Sequence, residues 1–177
     1  VARLIPDNLL MVFIPISTRH MNRRRILLAG LAMPGFLSIA QAKDTHLPRP
    51  KSLALVAQQA QSRGEPLVLL VSLPGCPYCE LVRRNYLKPM REQEGLAAWQ
   101  IDIRDKAPLT GFDGQATTPL AVARQWQIKV TPTVLFLDAQ GREVAPRLEG
   151  VAVVDFYGSY LEERLNQSRQ TLAASKS

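Results

Sequence analysis

The order of apolar and polar positions divides the chain into segments of different period. Leu67 to Leu73 is apolar at every position but Ser72. So dense and short a run predicts a strand buried on both faces, in the middle of an α/β sheet. Ahead of it, Leu53, Val56, Ala57 and Ala60 recur at helical spacing. They predict a helix over Ser52 to Arg63, capped by Ser52 and stopped by Gly64. Pro74-Gly75 turns the chain. Leu81, Val82, Tyr86 and Leu87 then mark one side of a helix from Pro77 to about Met90, which Pro89 should kink or end. Trp99 to Ile103 alternates as a strand, and Arg104 to Thr117, with Pro108, Gly111 and Gly114, reads as a loop. Thr118 can cap a short helix that starts at Pro119. Thr133 to Leu137 and Arg142 to Glu149 flank the turn Asp138-Ala139-Gln140-Gly141 and predict a hairpin. Val154, Tyr157, Leu161 and Leu165 are spaced for one face of a helix over Val153 to Gln167, and the tail from Ser168 reads as frayed. Alternating helices and strands followed by a hairpin predict an α/β fold, a central mixed sheet with helices on both faces.

The front of the chain follows a different pattern. Met21 leads into Asn22-Arg23-Arg24-Arg25, an apolar stretch from Ile26 to Ala40, and Ala40-Gln41-Ala42. A positive region, an apolar region and a small-residue processing site make an export signal, with the cut expected after Ala42. The apolar stretch is short of the about 20 residues a membrane span needs. Gly30, Pro34 and Gly35 also interrupt it, which disfavours an uncleaved anchor. No Cys stands at the cleavage position, so a lipoprotein is excluded. Leu9 to Ile16 is a second apolar run, and translation is expected to start at Met21 instead. Arg23-Arg24-Arg25-Ile26-Leu27 also resembles a twin-arginine export motif. Either route leads out of the cytoplasm, in a bacterium to the periplasm, where thiol chemistry is live. The expected plan is a signal region over 1–42, an extended lead-in over 43–51, a folded domain over 52–167 and a flexible tail over 168–177.

Length and charge narrow the function classes. The 177 residues suit one domain with a real core. An apolar share of 46% with 21% charged residues is globular rather than disordered. The net charge of +7 invites a nucleic-acid partner until the charges are located. Residues 1–42 supply +4 of it, and the remainder carries only +3, with no basic stripe and no interleaving of basic and aromatic residues. No nucleic-acid partner is expected.

The two cysteines of the chain lie together, in Cys76-Pro77-Tyr78-Cys79, just after the buried strand and at the start of a helix. A thiolate at a helix N-terminus feels the positive end of the macrodipole and free backbone N–H groups. Its pKa falls, and the thiolate is the nucleophile. That geometry makes Cys76 the exposed attacking sulfur. Cys79, one turn into the helix, resolves the mixed disulfide. Pro77 removes an N–H that the first turn leaves unpaired in any case, and Tyr78 is expected to present its ring beside the sulfurs. A purely structural disulfide would close too small a loop to constrain the unfolded chain much. A zinc site would need two more ligands, and the histidines are His20 in the signal region and His46 in the lead-in. No metal and no other cofactor are expected, the redox-active Cys76–Cys79 disulfide serving instead.

A second feature is Val130-Thr131-Pro132-Thr133, a proline just ahead of an apolar strand. With the Cys-x-x-Cys motif upstream and the hairpin downstream, the chain resembles the thioredoxin-fold family from about Ser52 to Gln167. In that family a cis-proline opens the strand facing the active-site helix and lies beside the cysteines. The resemblance assigns that place to Pro132, and to Thr131 the backbone that pairs with substrate. It also implies that Pro132 crowds metals away from the thiols. Within the superfamily the chain is most similar to periplasmic thioredoxin-like proteins of the SoxW type. The cues are Gly75-Cys76-Pro77-Tyr78-Cys79, Leu87-Lys88-Pro89-Met90, Asp113-Gly114 and Thr131-Pro132-Thr133. That subgroup implies reduction of exported cysteine-containing proteins, fed from a membrane thiol electron donor; the chain itself is expected to be a monomer.

Three residues depart from cytosolic thioredoxins. Leu70 stands where they carry a buried Asp that helps deprotonate the second cysteine, and Gly75 stands where they have Trp. Glu80 follows the motif where they have Lys. A carboxylate there would oppose thiolate formation, or relay a proton to Cys79, or sit in solvent; the solvated state is the expectation. Glutaredoxins share Cys-Pro-Tyr-Cys, but a Lys shortly before the motif and a Gly-Gly-Asp turn after the cis-proline are missing here. A disulfide oxidase or isomerase with the same site, and a non-catalytic binding module of the same fold, are the alternatives.

Overall fold

The computed structural model describes residues 46–175. The expected export signal, with its Met21 start and Ala42 cleavage site, lies outside the described residues. Four strands form the central sheet in the order β2-β1-β5-β6. They are β1 (Leu67–Ser72), β2 (Ala98–Asp102), β5 (Thr133–Leu137) and β6 (Glu143–Glu149). β1 runs parallel to β2 and antiparallel to β5, and β5 and β6 form the antiparallel hairpin. The sheet is mixed, as the alternation of elements predicts.

The two-sided burial of β1 follows from the period of a strand. Val68 and Leu70 join a cluster with Val82, Leu87, Phe136, Leu161 and Leu165. Leu67, Leu69 and Val71 join another with Leu53, Val56, Ala57, Val122 and Leu135 on the opposite face. The second face is covered by α1 (Leu53–Ser62) and α4 (Pro119–Gln125). Their N-caps are Ser52, whose Oγ accepts from Leu55 N–H, and Thr118, whose Oγ1 accepts from Ala121 N–H. The first face is covered by α5 (Tyr157–Ala174) and by the helical run that begins at Pro77.

That run passes through Pro89 rather than ending there. α2 (Pro77–Val82) widens into a π-helical turn (Arg83–Leu87) and continues as α3 (Lys88–Glu94). Lys88 N–H reaches back to the Arg83 carbonyl, one residue further than in an α-helix. Pro89 then falls in the first turn of α3, where a missing N–H costs little. The stretch from Arg104 to Thr117 is also more ordered than a loop. It holds a two-residue pair, β3 (Leu109–Thr110) and β4 (Ala116–Thr117).

Both ends of the domain correct the expected boundaries. The lead-in belongs to the fold: Leu47 is 2% exposed and sits in the core cluster. Its N–H donates to Gln100 Oε1 (3.2 Å), and Gln100 N–H donates to the Pro48 carbonyl (3.1 Å). This covers the free side of β2, an edge strand that would otherwise present unpaired groups. The tail is helical rather than frayed, because Ser168 and Leu172 continue the buried face of Tyr157, Leu161 and Leu165. Val154 does not share that face. It lies in a 3₁₀ turn (Val154–Phe156) before α5 and is exposed. The Tyr157 ring packs 5.3 Å from that of Tyr86, and burial raises its phenol above the ordinary value.

Leu172→Ala is expected to cost roughly 2–5 kcal/mol of stability. Gln170→Ala, on the exposed face of the same turn, should stay within about 0.5 kcal/mol. Urea melts compare the two. Equal, near-zero effects would mean that the last two turns of α5 do not dock.

Candidate active site

The sheet delivers the chemistry to one end. β1 stops at Ser72, and Gly75, at φ +73°, makes the sharp turn into α2. That left-handed angle suits glycine, which explains Gly75 in place of a bulkier residue. Cys76 N–H closes the turn on the Leu73 carbonyl (3.2 Å). Cys76 is the N-cap of α2 and Pro77 the first helical residue.

Cys76 and Cys79 form a disulfide, with Cα atoms 5.2 Å apart. The two sulfurs differ in environment. Cys79 is 1% exposed, whereas Cys76 is half-buried. The Cys79 N–H points at Cys76 Sγ (3.2 Å). Once the disulfide is reduced, that donor and the helix end favour a negative charge on Cys76. Access and charge stabilisation therefore coincide on the same atom.

The Thr131–Pro132 peptide bond is cis. It sets the Thr131 carbonyl oxygen 3.8 Å and Thr131 Oγ1 3.9 Å from Cys76 Sγ. The Pro132 carbonyl is taken up by Gly150 N–H (2.7 Å), which ties this loop to the end of β6. The fold thus brings together Cys76, Cys79, Pro77, Thr131 and Pro132, which sequence reading had placed in one site. The Tyr78 side chain stands out into solvent, 54% exposed, on the first turn of α2.

Glu80 corrects the expectation of a solvated carboxylate. It is half-exposed, but it is ion-paired with Arg83, whose side chain is 3% exposed. Arg83 also donates from Nη2 to Ser72 Oγ (2.9 Å) and from Nε to Gln100 Oε1 (2.7 Å). Gln100 is the register partner of Leu70. Leu70, which stands where the resemblance to cytosolic thioredoxins implies a carboxylate, is therefore the strand neighbour of a residue whose amide anchors a buried guanidinium. Sequence reading missed Arg83, Ser72 and Gln100. The available signal was Ser72, the one polar residue in the buried strand. Among the described residues no group of three or more His, Cys, Asp or Glu is placed to hold a metal.

A mixed sheet with helices on both faces and a Cys-x-x-Cys disulfide at the head of a helix define a thiol–disulfide oxidoreductase. The chain belongs to the thioredoxin-like domain family, whose sequence profile matches residues 53–163. No curated protein matches the chain. Solved structures to which the chain is similar include a thioredoxin-fold protein from Helicobacter pylori at 19% identity, covering 64% of this chain and 85% of its own, with a TM-score of 0.41. Thioredoxin NaTrxh from Nicotiana alata matches at 17% identity, 68% and 96% coverage, and a TM-score of 0.44. The periplasmic thioredoxin SoxS from Paracoccus pantotrophus, in its reduced form, matches at 22% identity, 59% and 99% coverage, and a TM-score of 0.39.

Proposed function

We propose that the protein is exported to the periplasm and reduces disulfides of other exported proteins, acting as a monomer that needs no metal, binds no nucleic acid and is recharged by a membrane thiol donor. The observation that carries the reading is the pairing of a half-buried Cys76 at a helix end with a fully buried Cys79. The reduced Cys76 thiolate attacks a substrate disulfide and forms a mixed disulfide, and the displaced substrate sulfur takes up a proton. Cys79 then loses its proton and attacks Cys76 Sγ. The second substrate thiolate leaves, and the Cys76–Cys79 bond is restored. Two electrons pass to the substrate.

Thr131 and Pro132 would dock the substrate chain by strand-like main-chain contacts, the Thr131 carbonyl lying beside the attacking sulfur. Exposed Tyr78 and Val130 would offer it apolar surface on either side. Export rests on the signal-like pattern of residues 21–42. Among the described residues, no helix is long and apolar enough to cross a membrane.

The test is the reduction potential of the purified protein against glutathione and dithiothreitol buffers. A value near about −270 mV is expected of a reductant of this kind. A value near about −120 mV would mean that electrons run the other way, from substrate dithiols into the Cys76–Cys79 disulfide.

A further inference from the structure

The geometry points to Arg83 as a positioning residue for the redox centre: a buried cation, held under the motif by Ser72 and Gln100, that stabilises negative charge on the sulfur pair in the reduced state and is attenuated by Glu80. The inference rests on the thiol–disulfide activity proposed above.

Four observations set that charge beside the motif. Cys79 and Arg83 are one turn apart on the same side of the helical run, a spacing that brings Cβ atoms within about 5–6 Å. Arg83 N–H donates to the Cys79 carbonyl, so the two residues share one turn of backbone. The guanidinium bonds a residue on each side of the motif, Ser72 ahead of the Gly75 turn and Glu80 directly after Cys79. Its third anchor, Gln100, lies in register with Leu70, a fully buried apolar residue, so the neighbouring strand position supplies no charge of its own.

The charges are unequally screened. Arg83 is 3% exposed and Glu80 is 42% exposed, so solvent damps the carboxylate more than the guanidinium. Two further carboxylates stand at this end of the sheet: exposed Glu149, the register partner of Thr133, and Asp102, the register partner of Ser72, which is 8% exposed and accepts from Arg104 N–H (2.9 Å), so the variants below read the increment of each single charge. A buried positive charge favours the thiolate over the thiol. It therefore stabilises the reduced protein relative to the disulfide and raises the reduction potential, the direction in which a stabilised reduced form makes a stronger oxidant. The effect inverts the charge that a carboxylate at Leu70 would have supplied.

The experiment measures the Cys76 titration, by thiolate ultraviolet absorbance of the reduced full chain, and the equilibrium constant with glutathione. Three variants are compared: Glu80→Gln, Arg83→Met and Arg83→Lys. Glu80→Gln removes only the attenuating charge at a half-exposed position. It should lower the Cys76 pKa and make the protein about tenfold more oxidising, which corresponds to about 30 mV for a two-electron couple. Arg83→Met should shift both quantities the opposite way, and Arg83→Lys should stay near the wild type. A purely structural ion pair would reduce the stability of Glu80→Gln and Arg83→Met alike and move neither titration. Shifts of the same sign in the two, or none in Glu80→Gln, overturn the proposal. If Arg83→Met does not fold, Glu80→Gln decides alone. A wild type that exchanges no thiols with glutathione overturns the functional reading instead, and the titration of the chemically reduced protein still decides the charge coupling.

Discussion

Replacing Cys76 with Ser is expected to abolish catalysed disulfide reduction, leaving insulin reduction at the rate of the small-thiol reductant alone. Cys76 is the sulfur that is both reachable and stabilised as an anion: it is half-buried, caps α2, and faces the Cys79 N–H at 3.2 Å. Cys79 cannot replace it, since it is 1% exposed and sits inside the first turn. Cys79→Ser should therefore behave differently. Its Cys76 can still attack, but no second thiol resolves the product. A mixed disulfide between Cys76 and the substrate should accumulate, visible as a covalent adduct by mass spectrometry without reductant. Turnover by Cys76→Ser above background would reject the assignment of the nucleophile. If the wild type were equally inactive while still retaining a partner, the fold would be serving as a binding module with an idle disulfide.

Phe136→Ala is expected to be the most costly single truncation in the core, at about 3–5 kcal/mol. Phe136 is the largest of the fully buried side chains. It lies on β5, opposite Val68 of β1 and Ala145 of β6, so a cavity there opens between three strands at once. A domain of this size has about 5–15 kcal/mol of stability in total. The loss should lower Tm by roughly 10–20 °C. Thermal and urea melts measure it. A loss under about 1 kcal/mol would mean that the sheet face collapses around the missing ring.

Much of the fold is legible in local pattern. The caps at Ser52 and Thr118, the two-sided burial of β1 and the β5–β6 hairpin each depend on a few neighbouring residues. The misread places are those where a distant partner decides. Pro89 reads as a helix break, yet the π-turn at Arg83–Leu87 shifts the hydrogen-bond register so that its missing N–H is harmless. Ser168 onward reads as a tail, since its apolar residues are sparse. Two of its residues suffice to bury a face once the helix lies against the sheet. Leu47 reads as lead-in, because nothing nearby in sequence shows that Gln100 will receive its N–H.

The amino-acid sequence by itself determined the thioredoxin-like class and the redox chemistry. Cysteine spacing, the helix start at Pro77 and the proline ahead of β5 are local facts that need no tertiary contact to be read. Only the tertiary structure decided the charge around that chemistry. Arg83 and Glu80 look like two ordinary surface charges in a helix, and Ser72 and Gln100 like two polar residues in strands. Folding buries the guanidinium against residues from β1 and β2 that are 11 and 17 positions away. A buried charge must be held by whatever polar groups the fold brings to it, and these are fixed by strand register rather than by neighbours in the chain.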